Sequence, residues 1–328
     1  MKLKRDFYQY IIALVLLMIA FVLSISVGRY HISLGDIARI VSGKKVDDLT
    51  KMVFFHLRLS RTIMVILAGM GLSISGSIYQ SIFKNPLATP DIMGVSSGAN
   101  LGAATAIIFL SGSIYAIGIS AFLGGLIAVF TAIALTNMSR DRGISTIVLA
   151  GIIIGSITQG AIMLLKFFAD PERQLAAIEF WSMGSFAGVT SDKLLPILPF
   201  FSMGIITLFL LRWQINILSL SDEESKSLGV NVKKVRVVVI VAATLVVGSI
   251  VSITGLISFI GLIAPHMGRI IRKKNDFGTA IFSGIIGAII LIIADCLARS
   301  ISSSEIPISI LTTFIGAPYL AYLMNRYR

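Results

Sequence analysis

The sequence predicts an all-α, polytopic membrane protein of about ten transmembrane helices, with its N- and C-termini on the cytoplasmic side. Three observations predict it. The chain of 328 residues is 56% hydrophobic and only 13% charged, with a mean hydropathy of +0.92. Soluble domains carry about 25% charged residues, so the bilayer has to solvate most of this surface. Apolar runs close to the ~20 residues that a helix needs to cross the hydrocarbon core recur along the whole length. Lysines and arginines then favour alternate connections, the pattern of a chain oriented by its positive charge.

The first run, Phe7 to Val27, follows Met1-Lys2-Leu3-Lys4-Arg5. It is longer than the roughly 7–15 residues of a signal-peptide core, and no small-x-small cleavage site follows. It is therefore expected to stay as the first helix. Further spans are expected at 62–82, 93–111, 114–136, 144–167, 194–213, 235–254, 256–270, 278–298 and 306–324. The eighth is short, beginning just after Thr254-Gly255 and passing Pro265-His266. The stretch from Ile301 to Ile308, with Glu305 and Pro307, reads as a turn or half-helix. Irregular backbone at membrane depth is tolerated only where protein buries it or it lines a cavity, so it points weakly to a pathway.

An even number of spans puts both termini on one side. That side collects Lys84, Arg140, Arg142, Lys226, Lys233, Lys234, Arg236, Arg272 and Arg328, which assigns it to the cytoplasm. The outer segment 29–61 strains the rule, because it carries seven cations: Arg29, Arg39, Lys44, Lys45, Lys51, Arg58 and Arg61. Small residues at Gly69 and Ser73, Gly71 and Ser75, Gly151 and Gly155, and Gly284 and Ala288 allow close helix packing. One membrane domain over 1–328 is the simplest division. The lone cysteine, Cys296, cannot form an internal disulfide and reads as a packing residue. The net charge of +12 implies no nucleic-acid partner, since no basic helix is long and polar enough to follow a duplex.

Several chemistries are missing. Gly43-Lys44 lacks the upstream glycine of a phosphate loop, and Lys45 stands where Ser or Thr is needed. The chain is therefore not expected to hydrolyse ATP by itself. His31, His56 and His266 show no metal-ligand spacing, and no catalytic residue, metal site or cofactor is expected. A proton or sodium relay calls for ionisable groups near mid-span. Asp295 and Lys166 fall near span ends, so the energy source is expected outside the bilayer.

Four stretches carry a resemblance. The first comprises Leu57-Arg58-Leu59-Ser60-Arg61-Thr62, Gly76-Ser77-Ile78-Tyr79-Gln80, Lys84-Asn85-Pro86-Leu87-Ala88-Thr89-Pro90 and Gly94-Val95-Ser96-Ser97-Gly98-Ala99. The second is Leu220-Ser221-Asp222-Glu223-Glu224-Ser225-Lys226-Ser227-Leu228-Gly229-Val230. The third is Gly255-Leu256-Ile257-Ser258-Phe259-Ile260-Gly261-Leu262-Ile263-Ala264-Pro265-His266, followed by Arg269. The fourth is Ala294-Asp295, Arg299, Glu305-Ile306-Pro307 and Gly316-Ala317-Pro318. In this order and spacing the chain, from about residue 10 onward, resembles the FecCD-type permeases of ABC importers. It departs from them at Ser60, where the family usually has proline.

The resemblance implies a permease of the cytoplasmic membrane, multi-pass and surrounded by membrane lipids. It would pair with a second copy or a paralogue, two cytoplasmic ATPase subunits and an extracytoplasmic substrate-binding protein. The implied cargo is an iron chelate, a ferric siderophore first, with haem or a corrinoid as alternatives. An ion-coupled secondary carrier is the remaining reading.

The residues themselves suit these roles. Asp222, Glu223 and Glu224 fall at the start of a short helix, where negative charge suits the helix dipole, and Gly229 can end it. By resemblance, with Ser221 and Leu228 they form an ATPase-coupling element; the residues alone suit a solvated connector equally well. By resemblance, Asn85 and Leu87 form a cytoplasmic gate with Ser145 and Thr146, against an ordinary helix-ending turn. By resemblance, Arg58, Arg61 and Arg299 dock acidic residues of the binding protein from the outer rim. A planar guanidinium can hold a carboxylate in two places; the alternative is anchoring to lipid headgroups. His266 reads as a cap or packing residue.

Overall fold

The computed structural model describes residues 2–28, 30, 32–110, 112–140, 143–302 and 304–326. Arg29, His31, Arg142 and Arg328, named above, lie outside these residues. Regular structure among the described residues is helical throughout, with no strand.

In chain order the helices are α1 (Lys2–Ser26), α2 (Leu34–Val41), α3 (Asp48–Met52), α4 (Ser60–Ile82), α5 (Val95–Phe109), α6 (Ile114–Met138), α7 (Ile144–Phe168) and α8 (Ala176–Ser182). They continue with α9 (Ser191–Leu194), α10 (Leu198–Leu210), α11 (Arg212–Leu218), α12 (Asp222–Ser227), α13 (Val232–Thr254), α14 (Ile260–Arg272), α15 (Phe277–Ser300) and α16 (Ile308–Arg326). A wider π-type stretch, Val53–Leu59, joins α3 to α4. Helices α1, α4, α5, α6, α7, α10, α13, α14, α15 and α16 match the ten expected spans in order. Seven helical stretches are long and apolar enough to cross a membrane, and α5 and Ile308–Tyr322 of α16 are shorter apolar helices.

Burial sorts the long helices into a centre and a ring. The apolar windows of α4, α13 and α15 are 78%, 72% and 67% buried, whereas those of α1, α6 and α10 are 22–28% buried. The ring therefore turns its side chains outward, as lipid-facing helices do when water does not drive packing. The Gly151–Gly155 pair serves contact within the chain: a Cβ on Gly151 would sit 1.9 Å from the Ile92 carbonyl.

Hydrogen bonds define two ends of the bundle. At the near end the start of α1 meets the end of α14 and the start of α15, where Tyr10 donates to the Gly278 carbonyl at 2.6 Å. Asn216 of α11 accepts from the Phe277 amide there at 2.8 Å. At the far end the last turn of α1 meets the start of α4, where the Ser24 and Thr62 hydroxyls lie 2.9 Å apart.

Helix α14 has 13 residues, about 20 Å at the helical rise of ~1.5 Å, and falls short of a hydrocarbon core of ~30 Å. The nonhelical stretch 255–259 supplies the rest. Backbone groups of this stretch and of the chain beside it find partners in neighbouring segments, as burial in a membrane protein requires. Ser185 N donates to Thr254 O at 2.7 Å and Ile308 N to Gly184 O at 2.9 Å. The Ser309 hydroxyl donates to Leu256 O at 2.8 Å. Two glycines let these segments cross. A Cβ on Gly184 would lie 2.1 Å from Leu256 O, and one on Gly255 2.2 Å from Trp181 O.

Candidate functional site

The sequence-selected residues gather at both ends of the bundle. At the far end, the first turn of α4 presents Arg61 to the last turns of α15. Its Nε and Nη2 donate to Asp295 Oδ1 at 3.1 and 2.8 Å. Its Nη1 and Nη2 donate to Glu305 Oε1 and Oε2 at 2.9 and 2.8 Å. Arg299 approaches the other oxygen of Asp295 to 3.1 Å and donates to the Ser24 and Val27 carbonyls at 3.2 Å each. Arg58 donates to the carbonyls of Val27 and Tyr30.

Arg58, Arg61 and Arg299 are thus 8%, 9% and 6% exposed. The expectation of arginines standing on an open rim is corrected: they share the far end, but each points into the chain. The reason is the acceptors between them. Arg61 and Arg299 meet the carboxylates of Asp295 and Glu305, Arg58 meets backbone carbonyls alone, and buried charge survives only when it is satisfied by such partners. Sequence reading had placed Asp295 at a span end and Glu305 in a turn, without seeing them as counter-ions.

At the near end, α12 stands on a cap written in its own sequence. Ser221 Oγ accepts from the Glu224 amide at 3.1 Å, and Glu224 accepts from the Ser221 amide at 2.9 Å, a capping box. Those Ser221 bonds hold the Glu224 carboxyl below its usual range. The buried Ser225 hydroxyl donates to Ile217 O at 2.9 Å, fixing α12 to α11. Asp222 Oδ1 accepts from Arg236 Nη2 at 2.8 Å and from Lys84 Nζ at 3.3 Å. Partial burial pushes the Asp222 carboxyl up, but Arg236 and Lys84 together outweigh it and hold it below its usual range. The helix ends at Gly229 with φ +81°, leaving Leu228 exposed at the tip beside an exposed Glu223.

Asn85 and Leu87 are exposed in the turn after α4, where Asn85 Oδ1 accepts the Leu87 amide at 2.9 Å. Ser145 and Thr146 lie in the first turn of α7. A short 3₁₀ turn, Pro90–Met93, follows the first pair and packs against α7 through Gly151. What the sequence did not reveal is Lys84, which ties the turn after α4 to α12 through Asp222.

Gly94-Val95-Ser96-Ser97-Gly98 has the G-x-S-x-G spacing of a hydrolase elbow, which corrects the expectation that the sequence holds no such motif. Here it opens α5 with no strand before it, and the Ser96 hydroxyl donates to Asp91, so the elbow's context is missing. His266 lies edge-on to Tyr319 of α16, ring centroids 6.2 Å apart, which suits packing. Among the described residues no group of three or more His, Cys, Asp or Glu could hold a metal ion.

A helical bundle with membrane-length spans and charged ends is the architecture of a transport permease. Residues 16–326 match the model of the FecCD transport family, and the chain belongs to that family. It is 35% identical over 317 residues to the molybdate import system permease MolB of Haemophilus influenzae, covering 95% of this chain and 94% of the relative. It is also 35% identical to the Fe(3+)-citrate import system permease YfmE of Bacillus subtilis, over 99% of this chain and 96% of that one. A solved inward-facing structure of a metal-chelate type ABC transporter superposes with a TM-score of 0.86 at 35% identity, covering 96% of this chain and 97% of its own. The chain is accordingly an ABC importer permease, a multi-pass protein of the inner membrane.

Proposed function

We propose that this permease carries a ferric chelate, a ferric siderophore first, across the membrane. It would do so as a dimer with a second permease, driven by two ATPase subunits at the near end and supplied by a substrate-binding protein at the far end. The observation that supports the ATPase contact is α12, a capped, acid-started helix that exposes Glu223 and Leu228 at the end where α1 begins. Glu223 and the turn at Gly229 would seat in the ATPase. Asp222 and Lys84 would pass its movement to the gate at Asn85, Leu87, Ser145 and Thr146. The far-end arginines Arg58, Arg61 and Arg299 would meet acidic residues of the binding protein.

The ferric cargo is supported by relatives such as the Fe(3+)-citrate permease. A second cargo, an oxyanion, is favoured by the similarity to the molybdate permease. Uptake into proteoliposomes holding the permease, its ATPase and its binding protein decides between them. ATP-dependent accumulation of radioiron from a ferric siderophore, with molybdate left outside, is the expected result. Molybdate uptake without iron uptake overturns the ferric assignment.

A further inference from the structure

Glu305 and Asp295 hold Arg61 in different ways. Asp295 is rooted in α15, and its side chain is 1% exposed. Glu305 lies between α15 and α16, outside both helices, and its side chain is 25% exposed. Both oxygens of Glu305 face two nitrogens of Arg61, at 2.9 and 2.8 Å. This is the fork-to-fork geometry that a guanidinium offers to any carboxylate.

A guanidinium has five N–H donors. The bonds to Asp295 and Glu305 occupy four of them. A third carboxylate that bound at two points has no room on Arg61 unless one of the present two leaves. A straight exchange keeps the number of buried charges constant, and so avoids leaving an ion unpaired in a low-dielectric site.

We propose that Glu305 is the chain's own stand-in for a partner's carboxylate, and that an acidic side chain of the binding protein docks on Arg61 by displacing it. This rests on the docking role of the far-end arginines proposed above and adds how an enclosed arginine can be reached. It also gives docking an immediate structural effect. Three residues after Glu305, Ile308 N is bonded to Gly184 O, and Ser309 holds Leu256 O of the nonhelical stretch in the bundle. Release of Glu305 frees the turn that positions the start of α16 against that stretch.

Glu305→Gln tests the exchange, because it keeps the shape and removes the charge of the competitor. Reversing Arg61 to Glu is a poor test, since it sets three carboxylates together and unfolds the site. In nanodiscs, Glu305→Gln should bind the substrate-binding protein about tenfold more tightly than wild type, roughly the difference between charge-assisted and neutral hydrogen bonds. Nitroxide labels at the exposed Ile301 and Leu57 provide a second measurement. Docking should lengthen their separation in wild type, and Glu305→Gln should show the longer distance without any partner. If wild type docks and the variant docks no more tightly, or the distance stays fixed on docking, the exchange is wrong. If wild type itself does not dock, the docking role of the arginines falls, and the exchange falls with it.

Discussion

At the far end, Arg58, Arg61, Arg299 and Asp295 are closed off from water. Around α12 at the near end, Asp222 and Lys84 share an ion pair with side chains 36% and 33% exposed, and of these three charges Arg236 alone is enclosed, at 2%. The chemistry is alike and the surroundings differ. Removing one partner of a buried pair typically costs about 3–5 kcal/mol, while an exposed pair contributes about 0–1 kcal/mol. The far end is therefore a clamp joining α1, α4, α15 and the turn before α16. The Lys84–Asp222 contact at α12 is a joint that can open and close without endangering the fold.

Replacing Asp295 with Ala is the severest test of this contrast. It strands Arg299, leaves Arg61 with Glu305 alone, and should destabilise the protein by about 3–5 kcal/mol, seen as a lower melting temperature in detergent and poor recovery from membranes. If Asp295→Ala melts like wild type, the clamp does not exist.

Gly229→Val comes next. Space is not the obstacle, because nothing lies within 4 Å of an added Cβ, but φ is +81°. A β-branched residue there is strained by about 1–3 kcal/mol, felt only by the end of α12. Membrane insertion should be normal while ATP-driven uptake falls. Full uptake by this variant removes the coupling role.

Lys84→Met should barely change stability, by less than about 1 kcal/mol, because Arg236 still holds Asp222. Transport per ATP hydrolysed should nonetheless drop, and Lys84→Arg should restore it. An unchanged ratio would separate the gate turn from α12.

The smallest effect is on pH. The folded Asp222 carboxyl titrates below its unfolded value of about 3.9. Its contribution is therefore present above pH ~4 and lost as pH falls through the lower folded value. Amide exchange of α12, measured with controls for its intrinsic pH dependence, should show constant protection from about pH 8 to 5. Weakening near pH 6 would mean another group controls the joint.

The spans were legible because hydrophobic runs are local. The expected 144–167 and 278–298 correspond to Ile144–Phe168 and Phe277–Ser300. The acidic start of α12 and its end at Gly229 were equally local, and its Ser221–Glu224 capping box could have been read. So could the Ser33–Asp36 box that starts α2, a helix not anticipated within 29–61. The partners of the arginines were not legible: Arg61 and Asp295 stand 234 residues apart. No pattern around either residue states that they meet, and the excess of positive charge in 29–61 looked like surface when part of it was interior.

The crossing at Gly184 and Gly255 also bears on how the chain is made. Its hydrogen bonds are completed by Ile308 and Ser309, at the start of α16, which is synthesised after both crossing segments. Until that helix arrives, the carbonyls of Gly184 and Leu256 lack these final donors inside the membrane. A chain cut short before α16 should then carry an open polar seam and be a target for membrane proteases, so α16 also reports that the crossing has been closed.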